Sequence, residues 1–232
     1  MNDVKVDLSG PLFLGRCMDR ISTDGIILDV DGTLWDSTDI VKDAWNNAFI
    51  DSGYDDPHIS ADRLKGLFGL PMADIISDIF PEGTDEEIKM LTPVIYSYED
   101  RYLDEKGGVL YPLIIETIEE LSKKLPVFIV SNCQSGYIEL FMRKTGCGGF
   151  IRDHLCPGDT GMFKADNIRK IVEDHKLLAP VYVGDTIMDK RACDEAGCPF
   201  IFARYGFGAV DDCRYVIDSP KELLDITEVK ND

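Results

Sequence analysis

Gly25-Ile-Ile-Leu-Asp29 leads directly into Val30-Asp-Gly-Thr33. A short apolar run with β-branched residues, followed by an Asp-Gly pair, is typical of a buried strand that ends in a turn. Asp29 and Asp31 are two residues apart at this strand end, so their side chains leave on the same side, roughly 6 to 7 Å apart along the chain. The sequence therefore predicts two carboxylates that share one small site.

Apolar runs of the same kind recur along the chain, and each ends on polar residues. They are Val127–Val130 before Ser131-Asn132, Val181–Val183 before Gly184-Asp185, and Phe200–Phe202 before Ala203-Arg204. Amphipathic helical patterns lie between them, at Ile114–Lys124, Ile138–Lys144, Asp166–His175 and Arg191–Ala196. This alternation predicts a parallel α/β sheet, in which ligands bind outside the carboxyl ends of the strands.

The alternation of predicted strands and helices is interrupted between about Ile40 and Tyr102. This stretch carries helical patterns but no clear strand, at Val41–Asp51, Asp62–Leu67, Met72–Ile79 and Asp85–Tyr102. Turn signals precede and follow it, at Asp31-Gly32 and at Lys106-Gly-Gly108. We therefore predict a helical cap domain at residues 38–105, inserted into a core domain made of residues 1–37 and 106–232. The alternative is that these helices belong to a single core.

The charge of the chain constrains its partners. With 24 basic and 43 acidic residues, the net charge is −19, which repels nucleic acid and anionic membrane surfaces at long range. We expect no nucleic-acid or membrane partner, and the sequence does not indicate an oligomeric state. A phosphorylated substrate is also repelled, so any phosphate site needs local positive charge from a metal ion, a lysine and backbone amides.

The first residues of the sequence and its cysteines indicate the cellular compartment of the protein. Residues 1–20 lack the basic start and long apolar stretch of a secretion signal. Seven cysteines, with no Cys-x-x-Cys pair, suggest neither a disulfide framework nor a zinc site. Free thiols in a reducing compartment are the simplest interpretation, so we expect a cytoplasmic protein.

Asp-x-Asp-Gly alone is compatible with several sites. It also suits a calcium loop or a plain surface turn, although a calcium loop needs further oxygen ligands where the hydrophobic Leu34 and Trp35 follow. In a shared site, a divalent metal can hold one carboxylate as an anion while the other exchanges a proton. One aspartate is then able to attack while the other shuttles protons.

Asp29-Val-Asp-Gly-Thr-Leu-Trp-Asp36 resembles the first motif of the haloacid dehalogenase superfamily. Three further motifs follow in the order of that superfamily: Ser131-Asn132 is similar to the second, Lys164 to the third, and Val183-Gly-Asp-Thr-Ile-Met-Asp189 to the fourth. The resemblance implies a Rossmann-like three-layer sandwich with a parallel sheet, and the helical insertion lies where this family places a cap.

The resemblance also implies roles for these residues. Asp29 would be the nucleophile that forms an aspartyl-phosphate, Asp31 the general acid and base, and Lys164 the positive charge at the phosphoryl group. Thr33, Ser131 and Asn132 would bind substrate. Magnesium would be held by the carboxylates of Asp29 and Asp185 and the main-chain oxygen of Asp31, with Asp189 supporting these ligands directly or through water.

The resemblance narrows the reaction to hydrolysis of a carbon–oxygen phosphate ester, because the phosphatases and phosphomutases of this family carry the second aspartate. The subgroup most similar to this chain is that of the phosphoglycolate phosphatases, which implies a small phosphorylated metabolite as substrate. Two departures are that Ala165, not proline, follows Lys164, and that the family pattern does not explain residues 1–22. A sugar phosphomutase and a non-enzymatic regulatory protein phosphorylated on its aspartate remain alternatives.

Overall fold

The computed structural model describes residues 19–230. The segment considered for a secretion signal therefore lies, up to residue 18, outside the described part. The strands of residues 19–230 are β1 (Ile21–Thr23), β2 (Gly25–Leu28), β3 (Trp35–Asp36), β4 (Val109–Leu110), β5 (Val127–Val130), β6 (Asp153–Leu155), β7 (Pro180–Gly184), β8 (Phe200–Ala203), β9 (Tyr215–Ile217) and β10 (Thr227–Val229).

Among residues 19–230, the first four α-helices follow one another without an intervening strand. The later α-helices are interspersed with the strands. The helices are α1 (Thr38–Asp51), α2 (Ala61–Leu67), α3 (Met72–Ile79), α4 (Asp85–Lys106), α5 (Ile114–Ser122), α6 (Tyr137–Thr145), α7 (Pro157–Thr160), α8 (Lys164–Asp174), α9 (Ile187–Ala196) and α10 (Leu223–Ile226). Short 3-10 helices occupy Cys147–Phe150 and Pro220–Glu222.

Six strands form one parallel sheet in the order β6-β5-β2-β7-β8-β9. The strand β2 lies at the centre, because Ile26 pairs with Val127 on one side and with Val181 on the other. The residues that follow β2, β5 and β7 therefore meet at one edge of the sheet. These residues are Asp29, Ser131 and Asp185.

Strand residues alternate between two buried clusters, one on each face of the sheet. Ile26 and Leu28 face the larger cluster, which includes Ile114 of α5 and Phe141 of α6. Ile27 faces the smaller cluster, which includes Ile168 and Ile171 of α8 and Cys193 of α9. Helices thus cover both faces of the sheet, and the expectation of a three-layer α/β sandwich is confirmed.

The stretch predicted to be helical contains α1 to α4, which begin and end close to the predicted positions. The helix α4 is longer than expected and ends at Lys106, where Gly107 follows with a positive φ of 71°. The main packing partner of α1 is α4, and their buried residues are continuous with the larger cluster on the sheet. The division into a core of residues 1–37 and 106–232 and a cap of residues 38–105 stays a prediction.

Two pairs of very short strands lie outside the main sheet. The antiparallel pair β3–β4 joins Trp35 to Leu110 and Asp36 to Val109, so it links the segments that enter and leave the helical region. The parallel pair β1–β10 joins the first and last described strands. Within residues 19–230, no helix combines the length and apolar character needed to cross a membrane.

Candidate active site

The loop after β2 is shaped by a tight turn. The amides of Thr33 and Leu34 donate hydrogen bonds to the carbonyl oxygen of Val30, at 3.2 and 2.7 Å. Gly32 has φ +81°, and a Cβ atom at this position would lie 2.1 Å from Oδ2 of Asp185. Glycine is therefore required here both for the backbone conformation and for the close approach of the two loops.

Asp29 is held by a buried lysine. Nζ of Lys164, the first residue of α8, lies 2.9 Å from Oδ1 of Asp29 and 2.6 Å from Oδ1 of Asp189. Burial opposes the charge of Lys164, but the two carboxylates outweigh it and raise the pKa of the amine. Lys164 is therefore charged at neutral pH and supplies the local positive charge that the acidic chain requires.

Three buried carboxylates form a cluster at the carboxyl edge of the sheet. Asp29, Asp185 and Asp189 each offer an oxygen atom within 4.8 Å of the others. Burial raises the pKa of Asp185 well above its ordinary value, and the neighbouring Asp189 and Asp29 raise it further. Hard oxygen donors crowded in this way fit a divalent cation, which would offset their mutual repulsion.

Asp189 also holds the helix that carries it. Its Oδ2 atom accepts hydrogen bonds from the amide and the hydroxyl group of Thr186, at 2.9 and 2.6 Å. The amide of Asp189 binds the Thr186 hydroxyl group in return, which completes a capping box at the start of α9. Because Oδ1 contacts Lys164, Asp189 positions the lysine and the helix as well as lying in the acidic cluster.

Asp31 has a separate environment. Its Oδ1 atom accepts hydrogen bonds from Ser37 Oγ at 2.5 Å, Tyr137 Oη at 2.7 Å and Trp35 Nε1 at 3.1 Å. Burial raises the pKa of Asp31, and the three hydrogen bonds lower it by favouring the charged form. The carboxylate of Asp31 does not belong to the acidic cluster. The expected contact of its main-chain oxygen with a metal stays a prediction.

Two of the three expected substrate-binding residues line the same cavity. Ser131 is buried and lines one cavity together with Asp29, Asp31 and Lys164. Asn132 also lines this cavity, and its side-chain amide donates a 2.8 Å hydrogen bond to the carbonyl oxygen of Gly69 in the helical region. Thr33 points elsewhere, since its hydroxyl group lies 3.4 Å from Oδ1 of Asp185. Their roles toward substrate stay predictions.

The sequence analysis did not predict several residues that the structure places at the site. Ser37 and Tyr137 bind Asp31, and the amide of Phe207 donates a 2.7 Å hydrogen bond to Oδ2 of Asp185. Glu99 of α4 also lines the cavity that contains Asp29 and Asp31. For Phe207 the sequence did contain a signal, the run Ala203-Arg-Tyr-Gly-Phe-Gly208. In the structure this segment places the Phe207 amide next to Asp185.

Comparisons with known proteins agree with this arrangement. The model of the haloacid dehalogenase-like hydrolase family matches residues 26–203. The chain belongs to this family. The prediction of a hydrolase of the haloacid dehalogenase superfamily is thereby confirmed, and the matched range includes the aspartates of the first and fourth motifs and Lys164.

Individual members of the family are similar to this chain at low identity. The chain is 23% identical over 188 residues to a phosphoglycolate phosphatase from Rhodobacter capsulatus, covering 78% of this chain and 84% of the relative. A haloacid dehalogenase-like family protein from Streptococcus pneumoniae has a similar structure, with a TM-score of 0.76 and 24% identity over 88% of this chain and 97% of that one.

A second similar structure carries a bound ligand. It is CbbY from Rhodobacter sphaeroides, solved in complex with xylulose-(1,5)bisphosphate, with a TM-score of 0.75 and 17% identity over 89% of this chain and 100% of that one. At these identities the structural matches support the fold of this haloacid dehalogenase-like hydrolase and do not define its substrate.

Proposed function

We propose that this haloacid dehalogenase-like hydrolase is a magnesium-dependent phosphatase that hydrolyses a small phosphate monoester through an aspartyl-phosphate on Asp29. The observation that carries the proposal is that Asp29 belongs to the acidic cluster and also lies 2.9 Å from Nζ of Lys164. Phosphoryl transfer needs a nucleophile and neutralisation of the phosphoryl oxygens. These residues provide both.

Mg²⁺ is the cation that suits this donor set, because it prefers carboxylate oxygens and completes its shell with water and phosphate. Asp29 and Asp185 would hold it, with the main-chain oxygen of Asp31. When bound, it would neutralise negative charge on the transferring phosphoryl group.

Side chains of this protein carry out the remaining steps of the reaction. Asp29 attacks phosphorus, and Asp31 gives a proton to the leaving oxygen and later takes one from the attacking water. The three hydrogen bonds on Oδ1 fix the position of the Asp31 carboxyl group. Lys164 binds the phosphoryl oxygens and keeps Asp29 in place, and Ser131 lines the same cavity.

The compartment and the first substrate to assay follow from two further observations. The six cysteines among residues 19–230 are all unpaired, which supports a reducing compartment and therefore a cytoplasmic enzyme. Because the curated relative from Rhodobacter capsulatus is a phosphoglycolate phosphatase, phosphoglycolate is the first metabolite to assay.

The test is release of inorganic phosphate from p-nitrophenyl phosphate, with Mg²⁺ and with EDTA. We expect turnover only with Mg²⁺, and none in Asp29→Asn, because a neutral amide cannot attack phosphorus. Mass spectrometry of the wild-type protein during turnover should find one phosphoryl group on Asp29. Near wild-type activity in Asp29→Asn would overturn the proposal, and transfer to a sugar hydroxyl without free phosphate would identify a mutase.

A further inference from the structure

The small cavity that contains Asp29 and Asp31 adjoins a much larger cleft. The small cavity has a volume of about 40 Å³, and the cleft has a volume of about 930 Å³. Eight residues line both, among them Lys164, whose Nζ lies 2.9 Å from Asp29. Five of the seven residues that line only the small cavity are buried. A substrate therefore reaches Asp29 from the side of the cleft.

The two volumes separate the parts of a phosphate ester. Since one water molecule takes up about 30 Å³ in the liquid, the small cavity has room for few atoms beyond a phosphoryl group. The alcohol part of an ester bound at Asp29 then lies in the cleft. The volume of the cleft falls within the range of about 300 to 1,000 Å³ that is usual for sites enclosing a drug-sized ligand. An alcohol part of two carbons would leave most of it unfilled.

The cleft lies between the helical region and the carboxyl edge of the sheet. One wall comes from α3 and α4, and the other from the loop after β5 and from α8 and α9. The two walls are joined where the side-chain amide of Asn132 donates a 2.8 Å hydrogen bond to the carbonyl oxygen of Gly69. Large apolar side chains line both walls: Met72, Ile75 and Tyr96 on the first, and Met162, Phe163 and Met188 on the second.

This set of side chains suits an aromatic ring. Methionine side chains adapt their shape to a ligand, and their sulfur atoms make favourable contacts with rings. Phe163 directly precedes Lys164 and is 74% exposed. A single exposed phenylalanine is ordinary on a protein surface, but this one lines the cleft beside the lysine that contacts Asp29. A substrate ring in the cleft would cover it.

The charged residues of the cleft do not favour either sign. Two are basic, Lys164 and Arg191, and two are acidic, Asp100 and Glu195. Lys164 is the lysine assigned to the phosphoryl group, and Glu195 lies 3.5 Å from Arg169. Apolar contact, and not net charge, is therefore the property by which this cleft distinguishes one alcohol part from another.

We propose that the natural substrate is a phosphate monoester of a bulky alcohol that carries an aromatic ring, and that this ring binds in the cleft between Tyr96 and Phe163. The proposal rests on the proposed phosphatase function and names the substrate class of the same site. It separates this chain from the substrate in the name of its curated relative, phosphoglycolate. The ring contributes to binding because its apolar surface is removed from water.

Two pairs of esters test the substrate class: 2-phenylethyl phosphate with ethyl phosphate, and 4-phenylbutyl phosphate with butyl phosphate. Each ester has a primary alcohol as its leaving group, so the members of a pair differ mainly in the ring. We expect kcat/KM of the wild-type enzyme to be about 10- to 100-fold higher for the phenyl ester in at least one pair, the effect of burying one aromatic side chain. Phosphoglycolate should rank below the preferred phenyl ester.

Phe163→Ala and Tyr96→Ala test the two walls. Each removes one ring contact, so the ratio of kcat/KM between the preferred phenyl ester and its alkyl partner should fall about 3- to 10-fold. The ratio cancels any effect on the transfer step that both esters share. Leu178→Ala is the control, because Leu178 is 79% exposed and lines neither cavity. It should leave the ratio unchanged.

Ratios near one in both ester pairs would overturn the proposal, as would a wild-type preference for phosphoglycolate or an unchanged ratio in Phe163→Ala. If Tyr96→Ala fails to fold, Phe163→Ala decides, since its side chain is exposed. Magnesium-dependent turnover of the esters without preference for the ring refutes only the assignment of the cleft. Absence of turnover of every ester and of p-nitrophenyl phosphate refutes the phosphatase function, and the proposal with it.

Discussion

The hydroxyl group of Tyr137 donates a 2.7 Å hydrogen bond to Oδ1 of Asp31, and so joins the start of α6 to the loop after the central strand. Tyr137 is buried and Asp31 is partly buried. The bond favours the charged form of Asp31 and lowers its pKa against the effect of burial.

Tyr137→Phe should therefore raise the pKa of Asp31. If protonated Asp31 is the general acid, the alkaline limb that it sets in the profile of kcat/KM against pH moves to higher pH, by roughly 0.5 to 1 unit for one lost hydrogen bond. Tyr98→Phe is the control, because its hydroxyl group binds Asp51 on the surface. A limb that stays in place in Tyr137→Phe would show that another group sets it.

Asp31→Asn should separate good from poor leaving groups. An alkyl phosphate needs a proton on its leaving oxygen, so we expect its single-turnover transfer rate to fall about 10²- to 10⁴-fold. The nitrophenolate leaving group is stable without a proton, so its transfer rate should fall much less. A burst experiment measures the transfer step apart from hydrolysis of the aspartyl-phosphate. Equal losses for both esters would contradict the proton-donor role.

The sequence predicted the sheet and the placement of Asp29, Ser131 and Asp185 because local patterns carry this information. Each central strand is an apolar run with a polar end, and parallel strands bring such ends to one edge. The edge strands β6 and β9 were missed, since three residues with partial burial give little periodic signal. These strands do not carry residues of the predicted site.

Contacts that depend on tertiary packing were not predictable in the same way. Tyr137 reaches Asp31 only because α6 packs beside the loop, and nothing in its own neighbourhood marks it. Glu99 lies in a long helix rich in charged residues, where a glutamate normally faces solvent. Its burial follows from the packing of α4 on α1 and against Gln134, which the sequence pattern does not specify.

Magnesium should stabilise the folded chain. A cation bound at the acidic cluster offsets the repulsion that raises the pKa of Asp185, and binding at about 100 times Kd adds about 2.7 kcal/mol. For a chain of this size we expect Tm to rise by several degrees, at roughly 2 to 4 °C per kcal/mol. Asp185→Asn should lose most of this increase, whereas Asp194→Asn, on the surface of α9, should keep it. The same increase in Asp185→Asn would place the ion elsewhere.

Lys164→Ala should abolish turnover and weaken the fold. The substitution leaves Asp29 and Asp189 buried without their shared cation, and breaking a buried pair costs about 3 to 5 kcal/mol. We expect the variant still to fold, because domains have stabilities of about 5 to 15 kcal/mol. Urea denaturation measures this loss. Lys170→Ala, an exposed pair with Asp174 on the same helix, should lose less than about 1 kcal/mol and keep its activity. Turnover near the wild-type rate in Lys164→Ala would contradict its assigned role.

Glu99→Gln should change how stability depends on pH. Burial raises the pKa of Glu99 from 4.5 to about 8. Below pH 4.5 the carboxyl group is neutral in both the folded and the unfolded chain, so ionisation has no effect on stability there. As the pH rises toward 8, the unfolded chain ionises this group first, and the free energy of unfolding falls.

Glutamine does not titrate, so the stability of Glu99→Gln relative to wild type should increase between about pH 5 and pH 8 and then level off. We expect the increase to be on the order of a few kcal/mol, measured by urea denaturation in EDTA across this range. Glu105→Gln is the matched control and should show no such trend, because its side chain is exposed. A difference independent of pH would mean that Glu99 ionises normally in the folded chain, and that solvent reaches its carboxyl group.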